Sequence, residues 1–193
     1  MSRFIRSLLI AALLSAGVAQ AAIQVGGVDY EPQLSAQKRT LTLNGAGLRT
    51  RLGFKVYAMG LYLRAPLADA AAIIADEGEK RIRIVPIHDL EARQFGDALI
   101  VGLEKNHDAA ALSALKPSTD ALLTALNAVG AVKSGTEIFI DQLGNGATRL
   151  LVNGEQRGED IGDKGLYPAL LRVWLGERPA DPELRNALLR QPQ

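Results

Sequence analysis

Leu43-Asn44-Gly45-Ala46-Gly47-Leu48-Arg49-Thr50-Arg51-Leu52-Gly53-Phe54-Lys55-Val56-Tyr57-Ala58-Met59-Gly60-Leu61-Tyr62-Leu63 is the stretch on which the fold turns. From Leu52 to Arg64 it is aromatic-rich and almost uncharged. Such a run reads as a central strand, buried on both faces for part of its length. Gly53 and Gly60 mark a bulge or a close approach by another backbone. Upstream, Arg39 to Asn44 places leucines two residues apart, the period of a strand. Gly45-Ala46-Gly47 then reads as an interruption that turns the chain.

Working outward, Ile23 to Tyr30 reads as a short strand broken at Gly26-Gly27, and Gln33 to Gln37 as a polar loop. Pro66 opens a helix that runs to about Asp76 and stops at Gly78. Lys80 to Ile87 alternates as a strand, with Arg81 and Arg83 on a solvated face. Leu90 to Lys105 is helical, with Phe95, Leu99 and Leu103 on one face. His107 to Leu115 reads as a helical turn and Ser118 to Val129 as a separate helix. Thr136 to Gln142 and Ala147 to Val152 flank a glycine turn and form a hairpin. Asn153-Gly154 begins another turn. Asp163 caps a helix whose apolar face carries Leu166, Leu170, Val173 and Trp174, and Gly176 stops it. Asp181-Pro182-Glu183 starts the last helix. Residues 22–193 therefore read as one α+β domain, an antiparallel sheet covered mainly on one side by helices.

The first 21 residues read as targeting. Arg3 and Arg6 precede an apolar run from Ser7 to Val18, and Ala19-Gln20-Ala21 has the small-x-small form of a cleavage site. The run is too short for a comfortable membrane span, which takes about 20 residues. The expectation is cleavage near Ala21, a periplasmic or secreted product, and no stable membrane span afterwards. Without Arg3 and Arg6 the remainder carries 20 basic and 21 acidic residues, a net charge of −1. That average has no electrostatic footprint for nucleic acid or an anionic membrane. The chain has no cysteine, which excludes disulfides, thiolate metal sites and a cysteine nucleophile. A content of 48% hydrophobic and 22% charged residues supports a packed core.

Chemistry-bearing motifs are sparse. There is no P-loop and no Gly-x-Ser-x-Gly, and Gly45-Ala46-Gly47 lacks the context of a dinucleotide fingerprint. His88 and His107 have no metal-ligand spacing and read as exposed or capping residues. Glu159 and Asp160 are adjacent on the chain, so on a strand they face opposite ways and make a poor acid–base pair. No metal and no cofactor is expected.

The Gly-x-Gly-x-Arg segment at Gly45–Arg49, joined to Val56-Tyr57-Ala58-Met59-Gly60-Leu61-Tyr62, resembles the signature region of the chalcone isomerase superfamily. Gly154 to Gly176, with Gly-Asp-Lys-Gly-Leu-Tyr-Pro-Ala-Leu-Leu-Arg-Val-Trp-Leu-Gly, resembles its late helix after the hairpin. Trp174-Leu-Gly-Glu-Arg-Pro179 with the Asp-Pro-capped helix resembles the ending of its bacterial members. The resemblance covers most of residues 25–190. It implies an open-faced β-sandwich, with a large antiparallel sheet holding a cleft against a layer of helices on one face.

Plant members of that family close a flavanone ring, whereas others bind fatty acids without catalysis. The family arginine falls on Arg49, with Arg51 as a nearby competitor. A guanidinium in an apolar cleft offers a permanently charged donor fork for a ketone or a carboxylate. The strand threonine of the plant enzymes appears as Tyr57, their helix tyrosine as Phe95, their asparagine as Gly102 and their late Thr or Ser near Gly158. Losing these groups counts against chalcone cyclisation. Tyr57 with Arg49 instead resembles the fatty-acid-binding branch, where an arginine and a strand tyrosine hold the carboxylate head. The bland reading makes Tyr57 a core aromatic and Arg49 a ligand of turn carbonyls. Three expectations follow: a binder of a small amphipathic carboxylate, an isomerase acting on an enone with Arg49 as electrophile, or a structural domain whose cleft is filled by Phe54, Met59 and Phe95. Protein partners are not legible.

Overall fold

The computed structural model describes residues 21–36 and 38–190, so residues 1–20 of the segment read as targeting lie outside the described residues. The chain opens with β1 (Ile23–Val25), β2 (Val28–Tyr30), β3 (Gln33–Ala36), β4 (Arg39–Arg51) and β5 (Phe54–Leu63). Then come α1 (Ala70–Ala75), β6 (Lys80–Pro86), β7 (Leu90–Glu91), α2 (Ala92–Asn106) and α3 (Ala109–Asn127). The last part holds β8 (Ala131–Val132), β9 (Ile138–Gln142), β10 (Thr148–Val152), β11 (Glu155–Ile161), α4 (Leu166–Leu175) and α5 (Pro182–Leu189).

Seven strands form one antiparallel sheet in the order β11-β10-β9-β6-β5-β4-β3. Period-two alternation splits β5 between two cores. Tyr57, Met59, Leu61 and Leu63 face the layer built by α1 to α5. Ala58 and Tyr62 face the other way, where Tyr30 from the β1–β2 hairpin joins them. The α+β expectation of a large antiparallel sheet with helices on one face therefore holds, with the N-terminal hairpin as a small cover on the opposite face. No helix among the described residues is long and apolar enough to cross a membrane.

The glycine segment does not break the sheet. β4 runs unbroken through Gly45 and Gly47, because α5 lies directly against them. A Cβ on Gly45 would stand 2.2 Å from the Ala187 carbonyl oxygen, and one on Gly47 2.6 Å from the Ala187 Cβ. The irregularity falls instead on Asn44, the extra residue of a bulge between Leu43 and Gly45. Its fully buried side chain donates to the Leu188 carbonyl at 2.8 Å and accepts from the Leu67 N–H at 2.7 Å. Gly60 does permit a close approach, since the Tyr30 ring lies 2.5 Å from where its Cβ would be.

Other expectations are corrected. Gln33–Ala36 is an edge strand, polar because only Leu34 and Ala36 turn toward a core. Pro66 precedes the helix without opening it, and Asp69 caps α1 by accepting from the Ala72 N–H. His107–Leu115 and Ser118–Val129 are not separate, because α3 carries Pro117 inside one helix. β11 escaped notice because six of its seven residues are exposed, so no alternation marks it. Asp163 sits two residues before the cap position of α4, accepting from the Gly165 N–H and the Ser118 hydroxyl. Arg81 and Arg83 are not a solvated face: their side chains are 11% and 12% exposed. Arg81 is bidentate to Asp141 at 2.7 and 2.6 Å, and Arg83 pairs with Glu137 and lies 4.8 Å over the Tyr30 ring.

Candidate functional site

Arg49 and Tyr57 face each other across β4 and β5 as direct register partners. Opposed residues of an antiparallel pair share a face, here the helix-covered one. A second bulge follows at once, with Val56 as the unmatched residue between the pairs Arg49–Tyr57 and Thr50–Lys55. It ends the regular ladder beside the site.

Each side chain is held by a helix. One Arg49 Nη1 donates to the Thr50 carbonyl and stands 3.6 Å from Asp181 Oδ2. Asp181 is itself fixed: its Oδ2 accepts from the Thr50 N–H at 2.9 Å and the Thr50 hydroxyl at 3.1 Å, and its Oδ1 caps α5 at Glu183 and Leu184. Burial alone would raise the Asp181 carboxyl, but these donors outweigh it and hold it below the ordinary carboxylate value. The Arg49 side chain stays 21% exposed. Among the described residues, its Nε and Nη2 donate to nothing.

Tyr57 is buried, and its hydroxyl accepts from the Trp174 indole N–H at 2.8 Å. Burial pushes the phenol up to about 12, and the Trp174 bond and the Arg49 charge offset this only in part. Phe95 of α2 meets the Tyr57 ring edge-on, with centroids 6.0 Å apart. Among the described residues no group accepts the hydroxyl's own proton. The phenol and the guanidinium thus keep donors in reserve on one face of the sheet. Donors of these two kinds are the ones from which a carboxylate or a polarised carbonyl oxygen accepts.

Met59 and Phe95 lie in the helix-side core as expected of a filled cleft, but Phe54 does not: it is 73% exposed at the β4–β5 tip. Two further isomerase positions are accounted for by geometry. A Cβ on Gly102 would meet Val173 Cγ1 at 2.5 Å, so the α2–α4 crossing leaves no room for an asparagine there. Gly158 lies on β11, four strands from β5, roughly 19 Å away at the spacing of a sheet. Arg51 is exposed and pairs with Phe54 at the β4–β5 tip. His107 accepts a cap role, its Nδ1 lying 3.0 Å from the Leu103 carbonyl. Among the described residues no group of three His, Asp or Glu could hold a metal. A groove of about 720 Å³ opens between α1, the β9–β10 turn and α4, lined by Asp76, Asn145, Lys164 and Arg172 but by neither Arg49 nor Tyr57.

Trp174, Asp181 and Thr50 went unread as site residues. Trp174 and Asp181 looked like an apolar helix face and a helix cap, which they also are. Only the packing of α4 and α5 across β4 and β5 brings them to Arg49 and Tyr57.

No curated protein matches this sequence. Among solved structures, an Arabidopsis thaliana fatty-acid binding protein superposes with a TM-score of 0.63 at 18% identity, covering 85% of this chain and 92% of that one. At that identity the likeness establishes the shared fold. The family profile described as chalcone isomerase-like matches residues 22–190, nearly the whole described chain. The chain belongs to the chalcone isomerase-like family.

Proposed function

We propose that this protein is a non-catalytic binder of a fatty acid or a similar amphipathic carboxylate, exported and released by cleavage near Ala21. The observation that carries the reading is the Arg49–Tyr57 pair, a guanidinium and a phenol in register with donors to spare. A carboxylate there would gain charge-assisted bonds from Arg49 and a phenolic donor from Tyr57. Its tail would run along Met59 and Leu61 under α2 and α4, against residues already apolar. The fatty-acid binding protein that shares the fold supports the same choice. An isomerase acting on an enone is the weaker alternative, because Phe95, Gly102 and Gly158 supply no hydroxyl or amide beside Arg49.

A packed structural domain is the second reading, favoured by the Trp174–Tyr57 bond and the Phe95 contact that fill the space over Tyr57. On the binder reading these two side chains rotate aside when the tail enters. The test is mass spectrometry of residues 22–193 purified without detergent, wild type against Arg49→Ala. A carboxylic acid released from wild type and missing from the variant is the expected result. Absence of any acid in both, with no heat of binding on adding a long-chain fatty acid, would refute the binder and leave the packed domain. Turnover of a chalcone by wild type would move the assignment to the isomerase.

A further inference from the structure

The tip of the β4–β5 hairpin has a composition that neither the fold nor the ligand site requires. Its two central residues, Leu52 and Gly53, adopt φ of 51° and 81°. The β10–β11 hairpin makes the same turn with Asn153 and Gly154, at φ of 51° and 80°. Asn-Gly is the ordinary solution, because asparagine tolerates the left-handed region and leucine does not. Leu52 therefore sits in a strained position while remaining 91% exposed, and Phe54 beside it is 73% exposed. Neither side chain contributes to a core.

The surroundings select a partner. Arg51 and Lys55 flank the two apolar side chains, and all five residues from Arg51 to Lys55 are exposed. From Pro32 to Ala68 the chain holds no acidic residue at all, but six basic ones: Lys38, Arg39, Arg49, Arg51, Lys55 and Arg64. Three of them are paired, Arg39 with Glu79, Arg49 with Asp181 and Arg64 with Asp76, whereas Arg51 and Lys55 at the tip pair with no acid among the described residues. Two exposed apolar side chains between two cations on a projecting hairpin match the boundary between acyl chains and anionic headgroups.

We infer that the Arg51–Lys55 tip docks this protein onto an anionic lipid bilayer, with Leu52 and Phe54 entering the acyl boundary while Arg51 and Lys55 meet headgroup phosphates. Tyr57 lies three residues from Phe54, about 10 Å along a strand. A docked tip therefore holds the Arg49–Tyr57 pair at the level of the headgroups. The inference stands on the tip alone and does not depend on what Arg49 and Tyr57 bind.

The test uses residues 22–193, which contain the whole family match at 22–190 and leave out the apolar run at Ser7–Val18 as a source of binding. Sedimentation with vesicles of phosphatidylcholine and phosphatidylglycerol in equal parts, against phosphatidylcholine alone, measures partition at low and high salt. Wild type should prefer the anionic vesicles and release as salt rises. Leu52→Asn with Phe54→Ser should weaken partition by at least about tenfold while leaving the circular dichroism unchanged, since asparagine suits the turn better than leucine. Phe54→Trp should show tip emission quenched by lipids brominated near the headgroup. Failure of wild type to bind anionic vesicles at low salt would overturn the inference, as would equal binding by the double variant. So would a concentration-dependent dimer that the double variant abolishes, because a second copy would then be the occupant of the tip.

Discussion

Replacing Gly45 by alanine puts one methyl group where there is no space. Its carbon would stand 2.2 Å from the Ala187 oxygen, 2.7 Å from the Leu188 oxygen and 2.8 Å from the Leu188 carbonyl carbon. Comfortable contact needs about 3.5 Å, so α5 must retreat by roughly 1 Å or β4 must bow. The obstacle is helix backbone, which cannot rotate away as a side chain would. The cost has an upper bound in the complete loss of α5 packing. That exposes Leu184 and Leu188, now buried, at about 1.5–3 kcal/mol each. It also breaks the Asn44–Leu188 bond, at about 1 kcal/mol. The ceiling is therefore about 4–7 kcal/mol, and partial relaxation of an overpacked contact brings it to about 1–3. We expect Gly45→Ala to lose about 3 kcal/mol, or about 6–12 °C in Tm for a domain of this size. Urea unfolding followed by Trp174, the sole tryptophan, measures it directly. Gly162→Ala is the control: no atom lies within 4 Å of its Cβ, so it should be neutral or stabilise by up to about 1 kcal/mol. A Gly45→Ala protein within about 0.5 kcal/mol of both wild type and Gly162→Ala would refute the claim that these glycines exist to seat α5.

All four tyrosines are buried and all are raised by burial, Tyr57 and Tyr62 to about 12 and Tyr30 and Tyr167 further. Absorbance at the phenolate band should therefore show no titration near pH 10; the neutral phenols stabilise the fold below that pH, and this is lost as pH rises toward 12, so the band should appear together with unfolding. Asp181→Asn keeps an amide oxygen for the cap but loses the charge, so it should cost about 1–2 kcal/mol at neutral pH. Because the folded Asp181 carboxyl is held down, its contribution is complete above the unfolded value and lost as pH falls through the folded one; urea curves of variant and wild type should converge below about pH 4. Gly102→Asn, which restores the family's amide, should destabilise by about 3 kcal/mol or more in the same urea assay and produce no chalcone turnover, because Val173 occupies the space.

Much of the sheet was legible because β5 is a long, aromatic-rich and almost uncharged run, β6 alternates, and one hairpin carries a Gly-Asn-Gly turn. What escaped was set by partners distant in sequence. Gly45 and Gly47 look like a chain reversal until α5, some 140 residues later, is laid against them; the glycines are the footprint of a helix and not of a turn. Arg81 and Arg83 look solvated because their carboxylates, Asp141 in β9 and Glu137 just before it, are distant in sequence. Pro117 looks like a break, and α3 absorbs it. At the candidate site, Arg49 and Tyr57 were readable by resemblance, and their opposition across β4 and β5 follows from the register of one hairpin. Trp174 and Asp181 were not, since no local pattern says that an indole on α4 will reach a phenol on β5.

The order of the sheet also sets how it can be assembled. β3 to β6 form one run of neighbours and β9 to β11 another, each closed by short local connections apart from the excursion through α1. Within the seven-stranded sheet, the seam between β6 and β9 joins strands far apart in sequence, with α2 and α3 spanning the gap, and the small β7–β8 pair closes over the same interval. Pairing across that seam must wait for a long loop to close, the slow step for a chain of this topology. The Arg81–Asp141 and Arg83–Glu137 pairs lie across it and act as its clasps. Two fragments cut between α2 and α3 would each keep a local meander, and would meet at this seam, at the β7–β8 pairing and where α4 and α5 pack on β5 and β4. A cut at His107 or Asp108 would leave Arg49 and Tyr57 on one fragment and the Asp181 and Trp174 that hold them on the other.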